Sequence, residues 1–303
     1  MITRRTVQGQ FLLRPDELLN QIVLYLLGYT SQKYGMALHP SLVMSNHAHI
    51  VCTDIAGDNL QNFTRDFFSL SARSLNSLLG RGENLWSVGR PNCVHIAPFA
   101  EDVIDHLSYT CVNPVEAELV SHAKKWPGVK VLPADLGAII EVARPDFGFF
   151  RESGGLPESV RVQFTMPKVL DATQEELALC PSQEINRREA VIRKQVTDGG
   201  RKFLGAKRVR RRSTASFPKA ALKKFATIPN VACKNVELRI RMLEFRKRRQ
   251  ERYNELRRSI AGLKREASDV VFPQGTFALR FWYGLPREPW QGCLWRQLLA
   301  GMT

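Results

Sequence analysis

The stretch Ser45-Asn46-His47-Ala48-His49-Ile50-Val51-Cys52 sets two of the chain's six histidines two residues apart in a run that reads as a β-strand. Side chains alternate across a strand, so His47 and His49 project from one face while Ala48 and Ile50 turn to the other. Two imidazoles side by side on a rigid surface make half of a metal site. The same pattern also fits a strand whose exposed face carries two histidines and nothing more.

The residues that could complete the site lie about sixty positions downstream. Helical spacing over 101–120 carries Tyr109 and, four residues on, Asn113, and positions i and i+4 share a helical face. A free phenol, with a pKa near ~10, is a poor nucleophile at neutral pH. Beside a divalent cation that polarises a phosphate it becomes a competent one. An amide oxygen is a hard ligand suited to Mg²⁺ or Mn²⁺. His47, His49 and Asn113 would then form a mixed site with positions open to phosphate oxygens. Plainer roles fit as well. Tyr109 reads equally as a core-edge tyrosine. Asn113-Pro114-Val115-Glu116 has the N-cap, the N1 proline and the N3 acid of a fresh helical turn, and a side chain committed to capping does not bind metal. His106, a turn before Tyr109, reads as structural.

The elements that must position these residues follow from periodicity. Loose alternation over 2–13 predicts a first strand. Leu18, Leu19, Ile22, Val23, Leu26 and Leu27 follow Asp16 at helical spacing, and Gly35 marks the stop. Residues 36–44 and 47–53 read as a hairpin turning at Ser45-Asn46. A second helix covers 59–79, with Gly80 just past its end, and 85–96 reads as a further strand or hairpin before the tyrosine helix. This order predicts an α+β protein of ferredoxin-like type, one antiparallel sheet with helices mainly on one face and the histidine strand in its middle.

Charge divides the chain. Its 303 residues carry a net +15. Residues 184–258 alone hold 24 Lys+Arg against 7 Asp+Glu, whereas the rest of the chain holds 20 against 22. A surplus gathered in one segment points to a polyanion, and to nucleic acid before an acidic membrane. The densest runs are Lys207, Arg208, Arg210, Arg211 and Arg212, and then Arg246, Lys247, Arg248 and Arg249 on a long helical pattern. Residues 145–183 are rich in Pro, Gly and Ser. The expected organisation is an α+β domain over 1–135, a linker with short local structure over 136–183, and a basic, mainly helical extension over 184–303 suited to phosphate contact. No apolar run reaches the ~18 residues of a membrane span. No secretory signal pattern opens the chain, and six scattered cysteines read as reduced thiols, so a cytoplasmic setting without membrane partners is expected.

Met44-Ser45-Asn46-His47-Ala48-His49-Ile50-Val51, followed by Tyr109-Thr110-Cys111-Val112-Asn113-Pro114-Val115, resembles the single-tyrosine HUH transposases. The similar branch is that of the bacterial REP-associated tyrosine transposases, the insertion-sequence transposase-like family. That family pairs His-hydrophobic-His with a helix-borne tyrosine followed by Asn-Pro-Val, and Trp126-Pro127-Gly128 is similar to its continuation. The resemblance covers about 1–135. More weakly, 199–205 and Phe272-Pro273-x-Gly275-Thr276 are similar to the extension of a longer-chain subgroup. It implies the HUH endonuclease fold, His47, His49 and Asn113 as ligands of Mg²⁺ or Mn²⁺, and Tyr109 as nucleophile. Cleavage and rejoining of single-stranded or hairpin DNA at palindromic repeats would pass through a 5′-phosphotyrosine, in a monomer or homodimer at the bacterial nucleoid. Arg4 and Arg5 on the first strand, with the two basic clusters, would contact the DNA. Alternatives from the same residues are a replication or mobilisation initiator of the HUH type, a domesticated palindrome-binding protein without catalysis, and an RNA-binding module.

Overall fold

The computed structural model describes residues 1–218, 231–263, 271 and 294–300. The Phe272-Pro273-x-Gly275-Thr276 motif lies outside the described residues.

The chain opens with β1 (Ile2–Arg5), shorter than the alternation over 2–13 predicts, because Gln8 and Gly9 take left-handed φ values of 52° and 72° and turn the backbone away. Helix α1 (Glu17–Tyr34) starts where the Asp16 carboxylate accepts the Leu19 N–H at 2.8 Å, and it ends at Gly35, whose φ of 63° a side chain would resist. Strands β2 (Met36–Leu38), β3 (Leu42–Met44), β4 (His47–Ile50) and β5 (Cys52–Asp54) form a broken hairpin, β3 with β4 and β2 with β5, turning at Ser45-Asn46 as expected. Helix α2 (Leu60–Leu79) again stops on a left-handed glycine, Gly80. The short strands β6 (Asn92–Cys93) and β7 (His95–Ile96) lead into α3 (Ala100–Glu116).

The central antiparallel sheet has the order β3-β4-β1-β6, so the histidine strand is paired on both sides. Directly opposed residues share a face. Ile2, Val43, Ala48 and Ile50 therefore point into the main core with Phe63, Phe67 and Phe68 of α2 and Ile22, Tyr25 and Leu26 of α1. Thr3, Arg5, Leu42, Met44, His47 and His49 point the other way, where Leu42 and Met44 pack against Val115 of α3. The α+β class holds. The helices, however, divide between the two faces of the sheet rather than lying mainly on one. The physical reason is that β3 is apolar on both sides, Val43 packing into the main core while Leu42 and Met44 pack toward α3.

The stretch 136–183 is more than a linker. It builds the antiparallel pair β8 (Ile139–Ala143) and β9 (Ser159–Gln163), which buries Val142, Val160 and Val162 in the main core beside α1. The basic region is equally integrated. Helix α4 (Gln174–Asp198) opens with the reciprocal capping box of Thr173 and Glu176 and packs along α3. Helix α5 (Ala206–Arg210) inserts Val209 beside Leu42, Met44 and Trp126. Strand β10 (Val231–Ala232) adds in parallel to β7, and α6 (Val236–Leu263) with α7 (Leu294–Ala300) closes a small core around Met242 and Trp295.

The Trp126-Pro127-Gly128 motif has a packing role. Trp126 is 1% exposed, and its Nε1–H donates to the Val43 carbonyl at 2.9 Å, while Val43 N–H donates to Val129 O at 2.9 Å. A Cβ on Gly128 would lie 2.6 Å from Trp126 Nε1 and 3.0 Å from Val43 O. Gly128→Ala is therefore expected to destabilise the fold by about 1–3 kcal/mol through overpacking and a strained indole hydrogen bond. Urea unfolding with an unchanged m-value checks it, and wild-type stability would show that the edge strand does not depend on this seat.

Candidate functional site

His47 and His49 lie side by side on β4 with ring centroids 4.7 Å apart and planes at 88°. Antiparallel register sets Arg5 directly opposite His47 and Thr3 directly opposite His49. Helix α3 crosses this face. Leu107, Cys111, Val112 and Val115, all 0–1% exposed, hold it down, which turns Tyr109 and Asn113 toward the histidines. The Tyr109 ring meets His49 edge-on at 6.1 Å between centroids. Asn113 Nδ2 lies 3.5 Å from His49 Nε2.

The helix decides between the two readings of Asn113. It runs unbroken from Ala100 to Glu116 with Pro114 inside it, so Asn113 caps no new helical turn. Pro114 has no N–H to give the Thr110 carbonyl, and the helix ends two residues beyond it, at Glu116. The Asn113 side chain is thereby left to the site.

The two rings are held by partners on their Nδ1 side. Thr3 Oγ1 is 3.0 Å from His49 Nδ1, and Asn46 Oδ1 is 2.8 Å from His47 Nδ1. Nε2 of each ring is thus the atom presented to the space shared with Asn113 and Tyr109. Burial, and then the Arg5 charge, push the His47 pKa down to about 4, against a hydrogen bond with Asn113 that favours the charged ring. Burial, then the neighbouring His47 and Arg5, hold His49 well below the ordinary histidine value. Both imidazoles are neutral at pH 7, the state in which a ring nitrogen ligates a metal. The contrast is His39, whose Nδ1 bonds the Thr165 carbonyl and whose Nε2 bonds Thr53 Oγ1, both at 2.8 Å; it is a structural histidine with no nitrogen to spare.

Among the described residues no group of three or more His, Cys, Asp or Glu side chains gathers to hold a metal. A cation beside the histidine pair would take Asn113, through its amide oxygen, as the third protein ligand. The residues fit a hard divalent ion of modest affinity: two neutral imidazoles with oriented rings, one amide, and no thiolate.

The basic residues named from the sequence separate. Arg5 shares the histidine face. Arg4 does not: strand alternation turns it to the opposite face, where its guanidinium lies 5.0 Å from the Phe68 ring centroid and donates to the Gly89 carbonyl at 3.3 Å. Lys207, Arg208, Arg210, Arg211 and Arg212 are all exposed, on and just past α5, and among the described residues none forms an ion pair. Val209 anchors this cluster against Met44, the direct strand partner of His47. The second cluster is divided. Arg246 is half-buried and its charge acts on Cys93 and His95, Arg249 donates to Gln297 Oε1 at 3.1 Å, and Lys247 and Arg248 are exposed. Other charges of the segment are structural: Arg188 pairs with Asp105 and Glu184, Arg193 with the buried Glu189, Arg201 with Glu118, and Lys234 with Glu101.

Sequence reasoning missed Thr3 as a site residue and passed over Asn46 as a turn residue. Thr3 becomes visible only once strand register is known, because it lies 46 positions from its partner. Comparison of the chain with family models, curated proteins and solved structures returned no match.

Proposed function

We propose that this chain is a metal-dependent single-strand DNA endonuclease and strand-transferase of the single-tyrosine HUH type, with Tyr109 as nucleophile. The observation that supports this most is convergence: a solvent-reached phenol, two neutral imidazoles with their Nε2 atoms presented, and an amide, brought to one face from β4 and α3. The sheet with the histidine pair on its middle strand and the tyrosine helix laid across it accords with an HUH arrangement. When bound at His47, His49 and Asn113, Mg²⁺ or Mn²⁺ supplies Lewis-acid charge to a non-bridging phosphate oxygen.

The chain's own residues then have distinct tasks. Tyr109 Oη forms the bond to phosphorus, the bond to the 3′-oxygen breaks, and the leaving oxygen ends as a 3′-hydroxyl while solvent takes the phenol proton. The 5′-phosphotyrosine conserves the phosphodiester energy, so a second 3′-hydroxyl can reverse the step and join strands. Arg5, opposite His47, places positive charge beside the phosphate. The exposed cluster around α5 tracks the backbone of the strand that leads to it.

The test is incubation with 5′- and 3′-labelled hairpin oligonucleotides and Mn²⁺, followed by a denaturing gel. A covalent adduct carrying the segment 3′ of the cut is expected. Binding without adduct on every hairpin offered would instead favour a silent palindrome-binding protein. Replacing Lys207, Arg208, Arg210, Arg211 and Arg212 by Gln is expected to flatten the salt dependence of binding, by about 0.7 in log–log slope for each single-strand phosphate that is no longer neutralised. Fluorescence anisotropy at several salt concentrations measures it, and an unchanged slope removes α5 from the interface.

A further inference from the structure

We propose that Asn46 is a positioning residue that fixes His47 as its Nδ1–H tautomer, so that its Nε2 lone pair faces the site. The use made of that lone pair rests on the metal reading above, while the tautomer itself does not. A neutral imidazole carries one N–H and one lone pair, and the partners of the ring decide which nitrogen has which.

At His47 the partners leave one solution. Asn46 Nδ2 donates to the Gly9 carbonyl at 3.3 Å. A carbonyl only accepts, so the NH₂ of this amide must face Gly9 and its oxygen must face His47 Nδ1, 2.8 Å away. An amide oxygen also only accepts. His47 Nδ1 therefore carries the proton, and Nε2 carries the lone pair.

His49 has no such arbiter on its own ring: the Thr3 hydroxyl, 3.0 Å from Nδ1, donates or accepts equally well, and the Asn113 amide near Nε2 is shared between the two histidines.

The backbone around Asn46 is built for this task. Gln8, an exposed non-glycine residue, takes a φ of 52° and Gly9 a φ of 72°, and together they aim the Gly9 carbonyl at the Asn46 amide. Such backbone outliers persist where the surroundings hold them, and they concentrate at functional sites. The Asn46 backbone is fixed in turn: its carbonyl accepts from Thr6 N–H at 2.9 Å, and Ser45 O accepts from Leu13 N–H at 2.9 Å.

Long-range ¹H–¹⁵N correlation NMR on the metal-free full chain, labelled at histidine, reads the tautomer directly. Nδ1–H is expected for His47. Asn46→Ala is expected to move His47 toward the Nε2–H form that free imidazole prefers. Asn46→Asp keeps an acceptor and is expected to keep the proton on Nδ1, which keeps the test decisive if the truncation unfolds. Mn²⁺ affinity, titrated on the same proteins, is expected to fall about 10–100-fold in Asn46→Ala and to recover in Asn46→Asp. A wild-type His47 in the Nε2–H form, or a His47 tautomer indifferent to Asn46→Ala, overturns the proposal. Nδ1–H in a wild-type chain that binds no Mn²⁺ would uphold the positioning role and remove the metal instead.

Discussion

Tyr109→Phe is expected to abolish the covalent protein–DNA adduct, with a loss of about 10⁴-fold or more in cleavage, while hairpin affinity stays within about twofold. The size of the loss follows from what is removed. A phenyl ring has no oxygen to form the phosphotyrosine, and water, the remaining nucleophile, is not held in line by the helix. The constancy of binding follows from the packing. Tyr109 is 38% exposed and touches His49 through its ring edge at 6.1 Å between centroids, so a phenylalanine keeps the packing that sets the helix against the strand. A second tyrosine could mask the result only if it shared this face. Tyr25 is buried, donating its hydroxyl to the Pro157 carbonyl at 2.6 Å, and Tyr34 is hydrogen-bonded to Asp66. A labelled oligonucleotide that still migrates with the Phe variant on a denaturing gel would show the nucleophile to be elsewhere.

The parts of this molecule that are legible in its sequence are those written in local periodicity. The α1 and α2 boundaries follow from a capping acid and two glycines that only a left-handed backbone explains, and the hairpin at Ser45-Asn46 follows from alternation. The i, i+4 spacing of Tyr109 and Asn113 suffices to put both on one side of a helix. What alternation could not supply is register. Arg4 and Arg5 look equivalent as neighbours in a basic pair, yet pairing sends Arg5 to His47 and Arg4 to the Phe68 ring. The Asn-Pro-Val-Glu run copies a helix start so well that only the continuity of α3, with Pro114 inside its final turn, releases Asn113 from capping. The β8–β9 hairpin was hidden by composition: its glycines and prolines lie in the loop, and the valines that bury it are few. The positive surplus was legible as a total, though its division into exposed cluster and internal ion pairs depends on acids such as Asp105 and Glu118, far away in the chain.

His47→Ala is expected to remove divalent-metal binding and DNA cleavage together, the latter by about 10³-fold, as the loss of several kcal/mol of Lewis-acid stabilisation implies. His47 is the better of the two histidines to replace. It is only partly buried, and its loss frees Asn46, a turn residue that water can reach. His49 is 5% exposed, and cutting it back would leave the buried Thr3 hydroxyl without its ring partner and open a cavity under Tyr109, so lost activity could be lost folding. Asn113→Ala should be the milder change, because an amide is the weakest donor of the three and water can replace it. Asn113→Asp should tighten Mn²⁺ binding by adding charge. That order, His47→Ala most severe, Asn113→Ala intermediate and Asn113→Asp gaining affinity, is what ligation predicts. A purely structural role predicts instead that loss follows burial and that Asn113→Asp, which places a carboxylate against His49, does harm. Mn²⁺ titration beside cleavage assays, with thermal unfolding as the control, separates the two. Cleavage that survives a chelator in the wild-type chain would dismiss the metal and leave the histidines only the orientation of the phosphate.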